Sequence, residues 1–122
     1  MNYFGVEIFD GIPQKDLCLE EGVSLEDQWF HLTQDVTCIK YSIHGVLEFY
    51  LDVGWYPDTE ITPESGFKIE VMEALITDGG IFYRKEAGTV AEMKQCLAEA
   101  ATLIYSFNEL TISKILQKAC NS

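Results

Sequence analysis

The sequence predicts an α+β fold, in which a single antiparallel sheet of about five strands carries a long C-terminal helix packed on one face. Three observations support this prediction. Runs of β-prone residues with alternating polarity are separated by short turn signals up to residue 85. From Thr89 onward the apolar residues recur every three or four positions. The 122 residues suffice for one domain, residues 1–122, but not for two independent cores.

Residues 3–11 predict the first strand, because they are rich in β-prone residues and end at an Asp-Gly turn signal. Their apolar side chains alternate onto one face: Phe4, Val6 and Ile8. A short helix of two to three turns is expected after this strand, over residues 24–35, because Ser24 is a typical N-cap residue. Its apolar residues recur at helical spacing: Leu25, Trp29 and Leu32.

Residues 36–43 and 46–53 predict a hairpin, since both runs are strand-like and His44-Gly45 suits a two-residue turn. Apolar residues alternate with polar ones in the second strand, so one face of the sheet should be core and the other solvated. The solvated face is expected to display Glu48, Tyr50, Asp52, Glu70 and Glu7.

Residues 67–76 alternate in the same way and predict a further strand. The Asp-Gly-Gly sequence at 78–80 is a turn signal that leads into the last strand, over residues 81–85. Residues 51–66 include the longest connection between predicted strands.

Thr89 and Glu92 form a capping box, which predicts the start of the long helix. The apolar stripe of this helix consists of Val90, Met93, Leu97, Ala100, Ile104 and Phe107. About 18 residues of helix would extend roughly 27 Å, at about 1.5 Å per residue, which is enough to cross a five-stranded sheet. A second short helix is expected within residues 110–120, after a break near Asn108.

Negative charge is concentrated in the first half of the chain. Residues 1–67 contain thirteen acidic residues against Lys15 and Lys40, a net charge of −11, whereas the remainder carries −1 of the total of −12. Because binding to a polyanion depends on Lys and Arg, such a region would repel DNA and RNA. A basic protein is the natural partner, since complementary potentials accelerate association and suppress wrong partners.

Within residues 51–66, two large aromatic residues lie beside carboxylates, and no Lys or Arg is present. Aromatic anchors surrounded by charge are typical of protein interfaces. The predicted partner-binding residues are Glu48, Asp52, Trp55, Tyr56, Asp58, Glu60 and Glu64. For Trp55 the alternative is a place in the core, since tryptophans are highly buried on average. The alternative binding surface consists of Asp16, Glu20, Glu21, Glu26 and Asp27.

No catalytic signature is found around His31 or His44, so we do not expect an enzyme. The four cysteines form no C-x-x-C pair, and residues 52–60 lack the spacing of a calcium loop, so neither a metal nor another cofactor is expected. No secretory signal or apolar run of about 20 residues is seen. We therefore expect a cytoplasmic protein that contacts no membrane.

Small size, acidity and the absence of catalytic motifs together resemble the small immunity proteins of bacteria, including those that neutralise contact-dependent growth-inhibition toxins. The resemblance is one of type, so it assigns no role to any single residue. It implies a one-to-one complex that blocks a basic toxin, such as a nuclease. The alternatives are an acidic DNA mimic of the kind some phages encode, a small enzyme that uses its exposed carboxylates, and a structural subunit that oligomerises.

Overall fold

The computed structural model describes residues 1–120, which form seven strands and two α-helices. The strands are β1 (Asn2–Tyr3), β2 (Val6–Glu7), β3 (Ile12–Lys15), β4 (Thr37–Ile43), β5 (Leu47–Tyr56), β6 (Gly66–Glu73) and β7 (Gly80–Ala87). The helices are α1 (Val90–Ser106) and α2 (Ile112–Cys120). Two 3₁₀ segments complete the secondary structure, Glu26–His31 before β4 and Phe107–Glu109 between the helices.

Five strands form the main sheet in the order β3-β4-β5-β6-β7, and every neighbouring pair is antiparallel. The predicted five-stranded antiparallel sheet is therefore confirmed. The predicted hairpin joins β4 to β5, and its two turn residues, His44 and Gly45, have φ values of 56° and 72°. The central strand β5 has ten residues and pairs along most of its length with both β4 and β6.

The core lies between one face of this sheet and α1. Alternate residues of β5 and β6 are fully buried, as are the residues of α1 at three- and four-residue steps. The predicted helical stripe is confirmed by the buried residues of α1 and the turn after it: Val90, Met93, Leu97, Ala100, Ala101, Ile104 and Phe107. The long C-terminal helix thus packs on one sheet face, as the period of its apolar residues predicts.

Side-chain hydrogen bonds define both ends of α1. At its start, the Oγ1 atom of Thr89 accepts from the backbone N–H of Glu92 at 3.1 Å. At its end, the Nε2 atom of His44 lies 2.6 Å from the carbonyl oxygen of Leu110 and 3.2 Å from that of Phe107. The β4–β5 turn is thereby joined to the break between α1 and α2.

The N-terminal prediction is wrong in detail, because residues 3–11 do not form one strand. β1 and β2 pair with each other as a separate two-stranded sheet, and Phe4 lies in their turn with a φ of 53°. Phe4 is consequently exposed instead of facing the core, and Glu7 lies outside the solvated face of the main sheet. The fifth strand of that sheet is β3, which directly follows Gly11; a Cβ on Gly11 would come within 2.5 Å of the Tyr41 ring.

The helix predicted over residues 24–35 is also not confirmed. Only the 3₁₀ segment Glu26–His31 forms there, and Gln28 interrupts it with a φ of −127°. The Ser24 Oγ atom still accepts from the Asp27 N–H at 3.1 Å, so the cap forms without a regular helix behind it. The cause is the buried side chain of Gln28, which hydrogen-bonds the backbone of the preceding loop.

The strands around the long connection differ from their predicted bounds. β5 continues through Tyr56, so Trp55 and Tyr56 belong to a strand, and residues 57–65 alone form the connection to β6. β6 ends at Glu73, three residues before the predicted end. Within residues 1–120, no helix is long and apolar enough to span a bilayer.

Candidate functional site

Trp55 lies in the core, with only 2% of its surface exposed. Because β5 extends past it, Trp55 alternates onto the same face as Val53, and its ring packs edge-on against Phe67 at a centroid distance of 4.8 Å. Its Nε1–H donates to the carbonyl oxygen of Glu60 at 2.6 Å. The structure therefore places Trp55 in the core, which is the alternative that the sequence left open, and not on an exposed surface.

The connection after Trp55 is tied to the segment that precedes β4. The Asp58 Oδ1 atom accepts from the backbone N–H of Gln34 at 2.9 Å. The Thr59 N–H donates to the carbonyl oxygen of Leu32 at 2.6 Å, and the Trp55 N–H donates to that of Thr33 at 2.7 Å. Residues 57–65 and residues 16–35 therefore form one continuous surface at the end of the main sheet.

We call this surface the acidic end. Its two segments, residues 16–35 and 57–65, contain nine acidic residues and neither Lys nor Arg. All nine are exposed: Asp16, Glu20, Glu21, Glu26, Asp27, Asp35, Asp58, Glu60 and Glu64. Two of them form ion pairs, Glu21 with Lys94 at 3.8 Å and Asp35 with Lys15 at 3.5 Å. The acidic end thus combines the predicted loop with the cluster that was its alternative.

Two large aromatic side chains are exposed at the acidic end. Trp29 is 53% exposed and Phe30 is 55% exposed, although both lie in a segment packed on the core through Leu32. Their rings meet edge-on at a centroid distance of 6.1 Å, and the Phe30 ring lies 4.2 Å from that of His31. We call Trp29 and Phe30 the aromatic pair. They supply the exposed anchors that Trp55 does not.

The aromatic pair was missed because Trp29 was assigned to the buried stripe of a helix. A usable signal was nevertheless present, since Phe30 falls outside the helical stripe of Leu25, Trp29 and Leu32. Gln28 holds the pair in place through three hydrogen bonds of 2.9 Å, accepting from the Glu20 N–H and donating to the carbonyl oxygens of Glu20 and Val23. The segment is therefore ordered without being helical.

The open face of the main sheet has mixed charge. Lys40 lies 3.5 Å from Glu48, whose carboxylate also accepts a hydrogen bond from the Tyr50 hydroxyl. Arg84 lies 2.7 Å from Glu70. The Lys68 ammonium lies 4.9 Å from the centre of the Tyr56 ring, which is a cation–π contact. Lys40, Lys68 and Arg84 therefore offset most of the negative charge that was predicted for this face.

Asp52 is a partly buried carboxylate on the open face, and its pKa is raised. Burial raises its pKa, and the negative charges of Asp35 and Glu70 raise it further, although a hydrogen bond with the Cys38 thiol acts in the opposite direction. Burial, together with the negative charges of Asp52 and Asp35, also raises the pKa of Cys38, to about 11. The thiol is therefore protonated at neutral pH and is a weak nucleophile.

Cys38, Tyr50 and Asp52 line one side of a shallow depression of about 340 Å³ on the open face. The turn between β6 and β7 forms its other side. This turn is organised by Glu73, a fully buried residue whose carboxylate accepts from the backbone N–H groups of residues 48, 75, 76 and 77. Sequence reasoning did not identify Glu73, although a charged residue in phase with Ile69 and Val71 was the available signal.

The structure divides the predicted binding residues into three groups. Trp55 is in the core; Glu48, Asp52 and Tyr56 lie on the open sheet face; Asp58, Glu60 and Glu64 lie at the acidic end. Among residues 1–120, no group of three His, Cys, Asp or Glu side chains is close enough to hold a metal ion.

Comparison of the chain with known protein families, with curated proteins and with solved structures found no match.

Proposed function

We propose that this protein is a non-catalytic inhibitor that binds a basic protein one-to-one, as an immunity protein neutralises a toxin such as a nuclease. The observation that carries the proposal is the exposure of Trp29 and Phe30 within a surface of nine acidic residues. Interfaces draw most of their affinity from a few aromatic anchors, while surrounding charges steer the encounter. The acidic end combines both features.

Exposing two adjacent large aromatic side chains has a cost in water, because each leaves apolar area unburied at roughly 25 cal/mol per Å². Single exposed apolar residues are ordinary, whereas contiguous exposed apolar surface, such as that of Trp29 and Phe30, is typical of interaction sites. The hydrogen bonds of Gln28 fix the pair before a partner arrives. Binding therefore requires little further ordering of this segment, which favours affinity.

The charge of the acidic end also favours a basic protein over a nucleic acid as partner. Its nine carboxylates would repel phosphates and attract Arg and Lys side chains. Nucleic-acid-binding proteins present such side chains on one face, and a nuclease is one example.

The test is to recover the partner from the source organism on the immobilised protein and to identify it by mass spectrometry. The purified pair should then form a one-to-one complex, and the partner should lose its activity in that complex. A recovered partner that is acidic, or whose activity is unchanged in the complex, would contradict the proposal.

The substitution Trp29→Ala should weaken this complex by about 2 kcal/mol or more, the range of interface hot spots, because it removes an exposed anchor. Isothermal titration calorimetry measures the change in affinity. Leu75→Ala is the matched control, since Leu75 is 62% exposed in the β6–β7 turn, at the opposite end of the sheet. Equal losses of affinity in Trp29→Ala and Leu75→Ala would show that the interface lies elsewhere.

Asp52 supports a second candidate function, a small enzyme that uses a carboxylic acid as a proton donor. Its pKa is raised, and it lines a depression on the open face together with Tyr50. Neighbouring Glu48 and Glu70 are in ion pairs, however, so neither is free as the second carboxylate of an acid–base pair. An activity that Asp52→Asn abolishes while partner binding persists would establish this alternative.

A further inference from the structure

A small cavity lies beside Phe30, between the 3₁₀ segment and the chain that follows β3. Its volume is about 110 Å³, which is room for a guanidinium group, since one water molecule takes about 30 Å³ of liquid volume. Five of its lining residues determine its chemistry: Lys15, Asp16, Phe30, His31 and Asp35.

The lining offers two kinds of group that attract a planar cation. The Phe30 ring is more than half exposed, and an aromatic face attracts a cation through its quadrupole. Asp16 and Asp35 both contribute to the lining and are exposed to solvent, so their carboxylates can accept hydrogen bonds from an incoming donor. An aromatic face beside carboxylates suits arginine better than lysine, because guanidinium both stacks and donates in parallel pairs.

The chain already places one of its own cations at this cavity. The Lys15 ammonium donates to the carbonyl oxygen of Asp35 and lies 3.5 Å from its Oδ2 atom. The Lys15 side chain is 47% exposed, and ion pairs of this kind contribute little to stability. A cation from outside can therefore replace Lys15 at small cost.

We propose that this cavity anchors an arginine side chain of the basic partner, which stacks on Phe30 and displaces Lys15 from Asp35. This inference rests on the proposed function, because it specifies how the acidic end recognises its partner. It goes further by naming the anchoring side chain and its position.

The probe is the capped tripeptide Gly-Arg-Gly, titrated into the ¹⁵N-labelled protein and followed by two-dimensional NMR. The amide signals of residues 16, 30, 31 and 35 should shift. Gly-Lys-Gly should bind about threefold more weakly, and the citrulline peptide, which keeps the shape but lacks the charge, should not bind. Phe30→Ala should weaken arginine-peptide binding about fivefold, with unchanged spectra elsewhere.

Lys15→Met gives the sharpest test, because it removes the resident cation. Arginine-peptide binding should become about fivefold tighter, since the peptide no longer competes with Lys15 for Asp35. Lys40→Met is the matched control: it changes the net charge equally but acts on the open sheet face, where Lys40 pairs with Glu48. That variant should change the affinity by less than about twofold.

Equal effects of Lys15→Met and Lys40→Met would overturn the inference, because they would show attraction by net charge alone. Equal binding of the arginine and lysine peptides would overturn it as well. Neither result bears on whether the protein neutralises a basic partner, which the recovered complex tests separately. If no inhibited one-to-one complex is recovered but the arginine peptide still binds, the proposed function is rejected and the cavity remains an arginine site.

Discussion

Glu73 shows how one residue can shape the structure around it. Its side chain is completely buried, yet its carboxylate accepts hydrogen bonds from four backbone N–H groups and from the Thr77 hydroxyl. Burial by itself would raise its pKa, but the backbone hydrogen bonds from residues 48, 75, 76 and 77 outweigh this effect and lower it. The charged form is thus the one that the turn is built to hold.

Glu73→Gln should destabilise the fold by about 2–3 kcal/mol at pH 7, because an amide offers one acceptor oxygen where the carboxylate has two. A group with a lowered pKa stabilises the fold above its unfolded pKa, and this contribution is lost as the pH falls through the folded pKa. The difference between variant and wild type should therefore shrink below about pH 4.3, the ordinary value for Glu.

Urea denaturation at pH 7 and at pH 3.5 measures this difference. Glu70→Gln is the matched control, since Glu70 lies on the same strand but pairs with Arg84 at the surface, and it should change the stability by less than about 1 kcal/mol. A pH-independent loss in Glu73→Gln would mean that the carboxylate charge is not what holds the turn.

Asp52→Asn should have the opposite effect on stability. The pKa of Asp52 is raised, so its ionised form is disfavoured in the fold, and neutralising it should increase the melting temperature at pH 7. A raised pKa means that stability is lost as the pH rises through the folded value. The increase in melting temperature caused by Asp52→Asn should therefore disappear near pH 3, below the ordinary Asp pKa of about 3.9.

Differential scanning calorimetry across this pH range gives the comparison. Asp58→Asn is expected to lower the melting temperature instead, because the Asp58 carboxylate accepts the Gln34 N–H. A lower melting temperature for Asp52→Asn at pH 7 would show that the Cys38 hydrogen bond outweighs the cost of burial.

At the scale of elements, regular periods were predictable and irregular segments were not. The meander and the α1 stripe follow from periods of two and 3.6, which bury one face and leave one solvated. The positive φ of Phe4 and the interrupted helix at Gln28 leave no such periodic mark. Trp55 was misplaced for a related reason, since β5 extends three residues beyond the predicted strand end.

The segment of residues 16–35 depends on Gln28, which is buried and bonds to the backbone at two residues, Glu20 and Val23. Gln28→Ala should destabilise the protein by about 1–3 kcal/mol, because one N–H and two carbonyl groups each lose a hydrogen bond. Partner affinity should fall as well, since Trp29 is no longer held in place. Gln14→Ala is the control, because Gln14 is exposed on β3 and its amide donates locally to the Ile12 carbonyl oxygen.

Hydrogen exchange of residues 20–31 reports on the segment directly. Amide exchange in residues 20–31 should accelerate in Gln28→Ala. In α1 and β5, protection should fall only by the amount that the global loss of stability explains. Unchanged exchange in residues 20–31 would show that Leu32 alone secures the segment.

At the scale of the whole molecule, a net charge of −12 acts together with its uneven distribution. The candidate site could be predicted from the sequence as an acidic region, because charge is read directly from composition. The aromatic anchors could not be predicted, since the exposure of a side chain depends on how segments distant in sequence pack together. The acidic end emerges only when residues 57–65 are hydrogen-bonded to residues 32–34.

The association rate with the partner should fall about tenfold or more between 50 mM and 500 mM salt, because screening shortens the reach of the acidic end. The dissociation rate should change much less, since aromatic anchors hold the complex. Stopped-flow tryptophan fluorescence follows both rates, because Trp29 is exposed at the acidic end and Trp55 is buried in the core. An association rate that is independent of salt would exclude electrostatic steering.

The order of the sheet also has a consequence for how the molecule folds. The β4–β5, β5–β6 and β6–β7 pairings each join strands separated by a short connection, so these contacts close short loops and can form early. Pairing of β3 with β4 instead closes a loop of residues 16–36. Closing this longer loop costs more conformational entropy than closing the short connections. The surface proposed to meet the partner is therefore expected to take shape last, after the sheet on which it rests.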